Sequence, residues 1–368
     1  MIDFDRAALE RFRSRVRGCL VGGAVGDALG APVEFMHLDR IRDEYGPDGL
    51  TDIVTGDSGV ALVTDDTQMT LFTVDGLIRA SVRADRGVVH PPSVVYRAYL
   101  RWLDTQRLPA PPPDVSGWLA AQPWLYNRRA PGNACLSGLS SPGMGTPHQP
   151  KNPDSKGCGT VMRSAPFGLY PQPSATPEAV FDLSVKCATQ THGHPTGYLA
   201  AGAFAAIIRT LVDGEDLRAA VTVALDLLAT RTGHEETTAA LRSALVAADD
   251  NPRSPDAIER LGGAWIAEEA LAIGVYCALS YPDPAEVREA LLLSVNHSGD
   301  SDSTGSICGN ILGTWHGETA LPPDWVAVVE GRGAILELAD DWAMEQTQSP
   351  QLHGDHGPYT EWLRRYPA

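Results

Sequence analysis

Apolar residues in this sequence recur every three to four positions almost everywhere and every second position almost nowhere, which leaves little material for a β-sheet. Tyr96, Tyr99, Leu100 and Leu103 follow the i, i+3, i+4, i+7 pattern, and Ala-rich stretches near 198–212, 215–230, 236–248, 264–279 and 284–295 repeat it. Only Asp52–Val54 and Val60–Val63 offer β-branched alternation, and both are short. More than ten helices in an all-α fold are therefore expected. Ten prolines between Pro109 and Pro153 interrupt this pattern. Proline cannot continue a helix interior, so residues 105–177 should be mostly loop with short helices, and a loop region that long is usually functional or disordered. No tandem repeat or clean linker divides the chain, so one domain over 1–368 is expected. The last 18 residues, with Trp362, read as either a packed or a loose tail.

Composition narrows the functional classes. A chain of 368 residues can bury about three quarters of its unfolded surface without a disulfide or metal staple. Its 46 acidic against 29 basic residues give a formal charge of −17, a field that repels DNA and anionic membranes. General nucleic-acid binding and a membrane role are therefore not expected; an anionic ligand would need metals, helix N-termini or a local cation. Six scattered cysteines without a CxxC read as reduced thiols, the N-terminus lacks an apolar signal core, and the longest apolar stretch, Tyr198 to Ile208, is short for a bilayer span. A cytoplasmic protein is expected.

Five segments carry chemistry. In GCLVGGAVGDALGAPVEF, Gly18, Gly22, Gly26 and Gly30 lie on one helix face, where small residues let a second helix approach; the spacing and the lack of a preceding strand exclude a dinucleotide fingerprint. Asp27 interrupts this apolar helix, costly unless it is paired or holds a cation, and Glu34 falls where the helix should end. In TDDTQMTLF, Thr64 suits an N-cap with Asp65 and Asp66 in the first turn; equally, two carboxylates and a hydroxyl suit Mg²⁺, Mn²⁺ or Ca²⁺ and not zinc. In NHSGDSDSTGSICGNILGTWHG, Asp300, Asp302, Ser303 and Thr304 exceed what a cap needs, and no EF-hand pattern fits. Two such clusters suggest one binuclear site, with ions about 3.5–4 Å apart. SKGCGTVMRSAPFGL offers a glycine-rich anion cradle without P-loop order, with Arg163 either touching ligand or pinning the loop through a carboxylate. In THGHPTGYLAAG, His192 and His194 precede Pro195 and cannot share a helix face, so a helix start with a loop histidine is the plain reading.

Taken together and in this order, GDALG…E, TDDT, GCG..MR, TH.HPTGY and GDSDST, spanning residues 18 to 317, resemble the ADP-ribosylglycohydrolase family, and within it the hydrolases of ADP-ribosylarginine and the dinitrogenase reductase-activating glycohydrolases. The resemblance implies a compact, orthogonal multi-helix bundle with two divalent cations, Mg²⁺ or Mn²⁺, in a cleft. By position, Thr64, Asp65 and Asp66 match one set of metal ligands, and Asp300, Asp302 and Ser303 match the other, Ser303 standing where many members have Thr. Glu34 matches an acidic active-site residue. Ser155, Lys156 and Gly157, with Cys158 and Gly159, match the loop around the diphosphate, and His192 matches a histidine beside the ribose. Residues 105–155 match less well.

The implied reaction is hydrolysis of the bond between ADP-ribose C1″ and a modified side chain. Metal-bound water has a lowered pKa; Asp65 or Asp66 would deprotonate or orient it, and Glu34 would assist ribose binding or gate access. An ADP-ribosylated protein is the expected partner, free ADP-ribose the product, and a monomer the expected state. The THGHPTGYLAAG segment and the negative field favour an arginine linkage over O-linked ADP-ribose or a modified nucleobase. A different metal-dependent hydrolase is a further alternative. A non-catalytic ADP-ribose-binding member is another, but it would be expected to lose metal ligands, and none is missing.

Overall fold

The computed structural model describes residues 5–353 and 360–367. Sixteen α-helices and several 3₁₀ turns occupy them, with isolated bridges such as Ala61 to Val329 but no strand among the described residues. The two short strand candidates of the sequence are extended loop. The fold is all-α, as expected.

The N-terminal part comprises α1 (Arg6–Gly30), α2 (Leu38–Tyr45), α3 (Asp65–Ala84) and α4 (Pro91–Thr105). The proline-rich stretch then runs as loop around α5 (Asn133–Ser140) and three 3₁₀ turns. Helices resume with α6 (Pro177–Ala188), α7 (Pro195–Val212), α8 (Leu217–Leu228), α9 (Glu235–Asp250), α10 (Pro255–Leu261), α11 (Ala267–Ser280) and α12 (Val287–Val295). The chain closes with α13 (Ser301–His316), α14 (Pro323–Val328), α15 (Arg332–Leu352) and α16 (Glu361–Arg365). The sequence tail lies partly outside the described residues; within α16, Trp362 is buried and its indole donates to Glu345 at 2.8 Å.

The most extensive helix pairing joins α1 to α13, far apart in sequence. The glycine face of α1 meets a matching face of α13: Gly18 lies against Gly313, Gly22 against Gly309, Gly26 against Gly305, and Gly30 against Ser301. A Cβ at any of these α1 glycines would overlap a backbone carbonyl of α13, so the helices touch backbone to backbone. Buried apolar side chains from nearly every helix form one contiguous core around this pair. Helix α7 is long and apolar enough to cross a membrane, but 83% of it is buried within the protein, as befits a core helix.

Candidate active site

Where α1 ends, α3 and α13 begin, and that meeting point makes the site. Thr64 caps α3, its hydroxyl accepting from Asp66 N–H at 3.3 Å, so Asp65 and Asp66 occupy the first turn. Asp300 precedes the first residue of α13 and Asp302 lies in its first turn. Two helix N-termini thus aim their positive ends at a cluster of carboxylates. Glu34 enters from the turn after α1.

Glu34, Asp65, Asp66, Asp300, Asp302 and Ser303 line one cavity of about 440 Å³, a size suited to a small-molecule ligand. Its other wall carries Ser155, Gly157, Cys158, Gly159 and His192. Carboxylate oxygens of Glu34, Asp300 and Asp302 lie within 4.8 Å of one another. Asp66 Oδ1 is buried without a hydrogen-bond partner. Burial and mutual repulsion push Asp65, Asp66 and Asp300 well above the usual carboxylate range, and Glu34 up to about 10. An orphaned buried oxygen among crowded hard-oxygen donors fits a divalent cation of the Mg²⁺ or Mn²⁺ type.

Other residues of these motifs are held by protein partners. Asp27 is fully buried but is satisfied by Thr64 N–H at 3.0 Å, Thr67 N–H at 3.1 Å and the Thr67 hydroxyl, so it ties α1 to the start of α3. Burial, and then the nearby Asp302, push its pKa up to about 7, against those donors. The Lys156 ammonium is bound to Glu236 at 2.7 Å and Glu268 at 3.3 Å, leaving only its backbone to the loop. Arg163 has no carboxylate: buried, it donates to the Gly159 carbonyl at 2.6 Å and Thr191 Oγ1 at 2.7 Å, and it lies over the Tyr99 ring. It does pin the loop, through a carbonyl.

Thr191 Oγ1 in turn meets His192 Nδ1 at 2.8 Å, which orients the ring at the cavity wall. Burial, reinforced by Arg163, pushes His192 down to about 3, so the imidazole is neutral. His194 is instead the N-cap of α7, its Nδ1 accepting from Thr196 N–H at 3.2 Å. Cys158 Sγ lies 2.7 Å from Asp300 Oδ2, its thiol held protonated by burial and by that carboxylate.

Sequence reasoning missed a third wall. Residues 130–134 line the cavity, and Gly132 N–H donates to Asp65 Oδ2 at 3.3 Å. The Pro131-Gly132 pair in the proline-rich stretch was the available signal. Phe35, which closes the first of the five segments, and Trp265, which lies in none of them, also line it.

A family model described as ADP-ribosylglycohydrolase matches residues 8–352. Over 324 residues the chain is 26% identical to the ADP-ribosyl-[dinitrogen reductase] glycohydrolase of Rhodospirillum rubrum, covering 86% of this chain and 90% of that protein. It is 24% identical over 334 residues to the ADP-ribosylarginine hydrolase Tri1 of Pseudomonas putida, covering 90% and 78% respectively. Mouse ADP-ribosylhydrolase ARH3 is 23% identical over 359 residues, with 86% and 88% covered. A solved structure described as an ADP-ribosylglycohydrolase-related protein complex superposes with a TM-score of 0.63 at 22% identity, covering 92% of this chain and all of that one, a likeness of fold.

Proposed function

The chain belongs to the ADP-ribosylglycohydrolase family, whose chemistry is the removal of ADP-ribose from modified substrates, and we propose that its own substrate is a protein carrying ADP-ribose on arginine. The observation behind this reading is the single cavity that joins five carboxylates to a glycine-rich loop. One end suits hydroxyl-rich ribose and a cationic leaving group, and the other suits a diphosphate. Similarity to an ADP-ribosylarginine hydrolase supports the linkage.

The family is metal-dependent. In our reading Thr64, Asp65, Asp66, Asp300, Asp302 and Ser303 would hold two Mg²⁺ or Mn²⁺ ions, which would supply a lowered water pKa and electrostatic stabilisation of ribose oxygens. Asp65 or Asp66 takes the proton of the attacking water, and Glu34 binds the ribose. Backbone N–H groups of the loop that includes Ser155, Lys156, Gly157, Cys158 and Gly159 hold the diphosphate. His192, neutral, contacts the ribose. We also propose that residues 1–368 act as one domain of a cytoplasmic monomer.

Side-by-side hydrolysis of arginine-linked and serine-linked ADP-ribosyl peptides at equal concentration tests the linkage. Faster release from arginine is expected; faster release from serine overturns the choice of linkage and leaves the family chemistry standing.

A further inference from the structure

Two large aromatic side chains at this cavity are held out of the core. Phe35 is 63% exposed and Trp265 is 44% exposed, and their rings stack with centroids 5.2 Å apart at 25°. Most buried apolar side chains join the single core, so two exposed rings packed on each other are not core residues left over. Both line the cavity beside Glu34, Asp300 and Asp302.

The backbone is strained to present them. Phe35 has φ +66°, a left-handed conformation that a bulky residue rarely adopts, and Ala264, just before Trp265, has φ +62°. The second turn is fixed on both sides. Glu269 accepts from Gly263 N–H at 2.9 Å and Ala264 N–H at 3.1 Å. The Trp265 carbonyl accepts from Cys158 N–H at 3.2 Å, and Ala267 N–H donates to the Lys156 carbonyl at 2.8 Å. Strain of this kind persists where the surroundings over-determine it, and such places cluster at ligand sites.

We propose that the Phe35–Trp265 pair is the seat of the side chain from which ADP-ribose is released, and that it selects a guanidinium over a neutral hydroxyl linkage. The proposal rests on the arginine reading above and says how this chain would achieve it. An aromatic face attracts a cation, and a planar guanidinium can stack on it. Lys156, on the adjoining loop, is already engaged with Glu236 and Glu268, so its charge is offset. A serine hydroxyl gains nothing comparable from the rings.

The test is steady-state hydrolysis of arginine-linked and serine-linked ADP-ribosyl peptides by the wild type, Trp265→Ala, Trp265→Phe and Phe35→Leu. Calorimetry with free ADP-ribose accompanies it. The arginine-over-serine ratio of kcat/KM should fall about tenfold (~1.4 kcal/mol) in Trp265→Ala, chiefly through KM for the arginine peptide. Trp265→Phe should recover most of it, and Phe35→Leu, which removes the ring and keeps an apolar side chain, should lose part of it. An unchanged ratio in Trp265→Ala overturns the proposal. So does a loss of free ADP-ribose affinity as large as the loss on the arginine peptide, which would make the pair an adenine platform. A wild type that favours serine overturns the arginine reading and this proposal together; a wild type that favours arginine, with a ratio unmoved by the variants, overturns this proposal alone.

Discussion

Gly26 of α1 and Gly305 of α13 face each other so closely that a Cβ on either would overlap the carbonyl oxygen of the other. One turn further along, Gly30 meets Ser301 and Asp302 N in the same way. The contact brings the turn bearing Glu34 beside Asp300 and Asp302, so packing and site geometry have one cause. Gly26→Ala should therefore destabilise the protein by about 3 kcal/mol or more, since backbone has to move on both sides. Gly333→Ala, with no heavy atom near its Cβ, is the control and should be neutral or slightly stabilising. Urea unfolding of both variants measures the difference, and equal midpoints would contradict the close-approach account.

Asp66 is a burden on the protein when no cation is present. Burial, then Asp302, raise its folded-state pKa above the unfolded value. Such a group favours folding below about pH 4, and that contribution is lost as pH rises. At neutral pH in chelator, Asp66→Asn should therefore raise stability by about 1–2 kcal/mol. Added Mg²⁺ or Mn²⁺ should raise the melting temperature of the wild type more than that of the variant. A lower melting temperature of the variant in chelator would contradict this reading of the cluster.

Much of this architecture is legible from local pattern. Thr64 at a helix start, the apolar period of Tyr96 to Leu103 and the prolines of 109–153 each act within a few residues of themselves. Long-range pairings are not legible in that way. Gly305, Gly309 and Gly313 repeat at the same four-residue spacing as the first glycine face, but nothing local says that the two faces meet. Asp27 is satisfied by Thr64 and Thr67, and Lys156 by Glu236 and Glu268, partners about 40 to over 100 positions away. Phe35 and Trp265 escaped notice because an isolated aromatic residue in a sequence reads as core.

The loop after Ser155 should hold its ligand through backbone. A Cβ built on Gly157 lies 3.3 Å from His192 Nε2, so Gly157→Val crowds that ring and the loop together. Lys156→Ala removes an ammonium already committed to two carboxylates. Calorimetry should show a loss of ADP-ribose affinity of about tenfold for Gly157→Val and much less for Lys156→Ala. The reverse order would reassign the diphosphate contact to the lysine.

Acid should weaken the fold through two buried neutral histidines. His192 is pushed down to about 3, and burial pushes His297 down to about 4. Both fall below the unfolded value near 6.5, so the unfolded chain takes up protons first as pH drops. Their stabilising contribution is complete above about pH 6.5 and is lost as pH falls toward the folded values, on the order of 1–2 kcal/mol each by pH 5. His297→Gln should show a smaller stability difference between pH 7.5 and pH 5 than the wild type in urea titrations. An equal difference would mean that His297 does not titrate this way.

The central claim is that Glu34, the Asp65–Asp66 pair and the Asp300–Asp302 pair make one metal-dependent centre that frees ADP-ribose. The most direct measurement is the release of free ADP-ribose from an arginine-linked ADP-ribosyl protein by chelated enzyme, before and after Mg²⁺ or Mn²⁺ is restored, with Asp302→Ala alongside. The account predicts no release in chelator, recovery of the wild type on adding metal, and none in Asp302→Ala under either condition. Undiminished release in excess chelator, or full activity of Asp302→Ala, would contradict it.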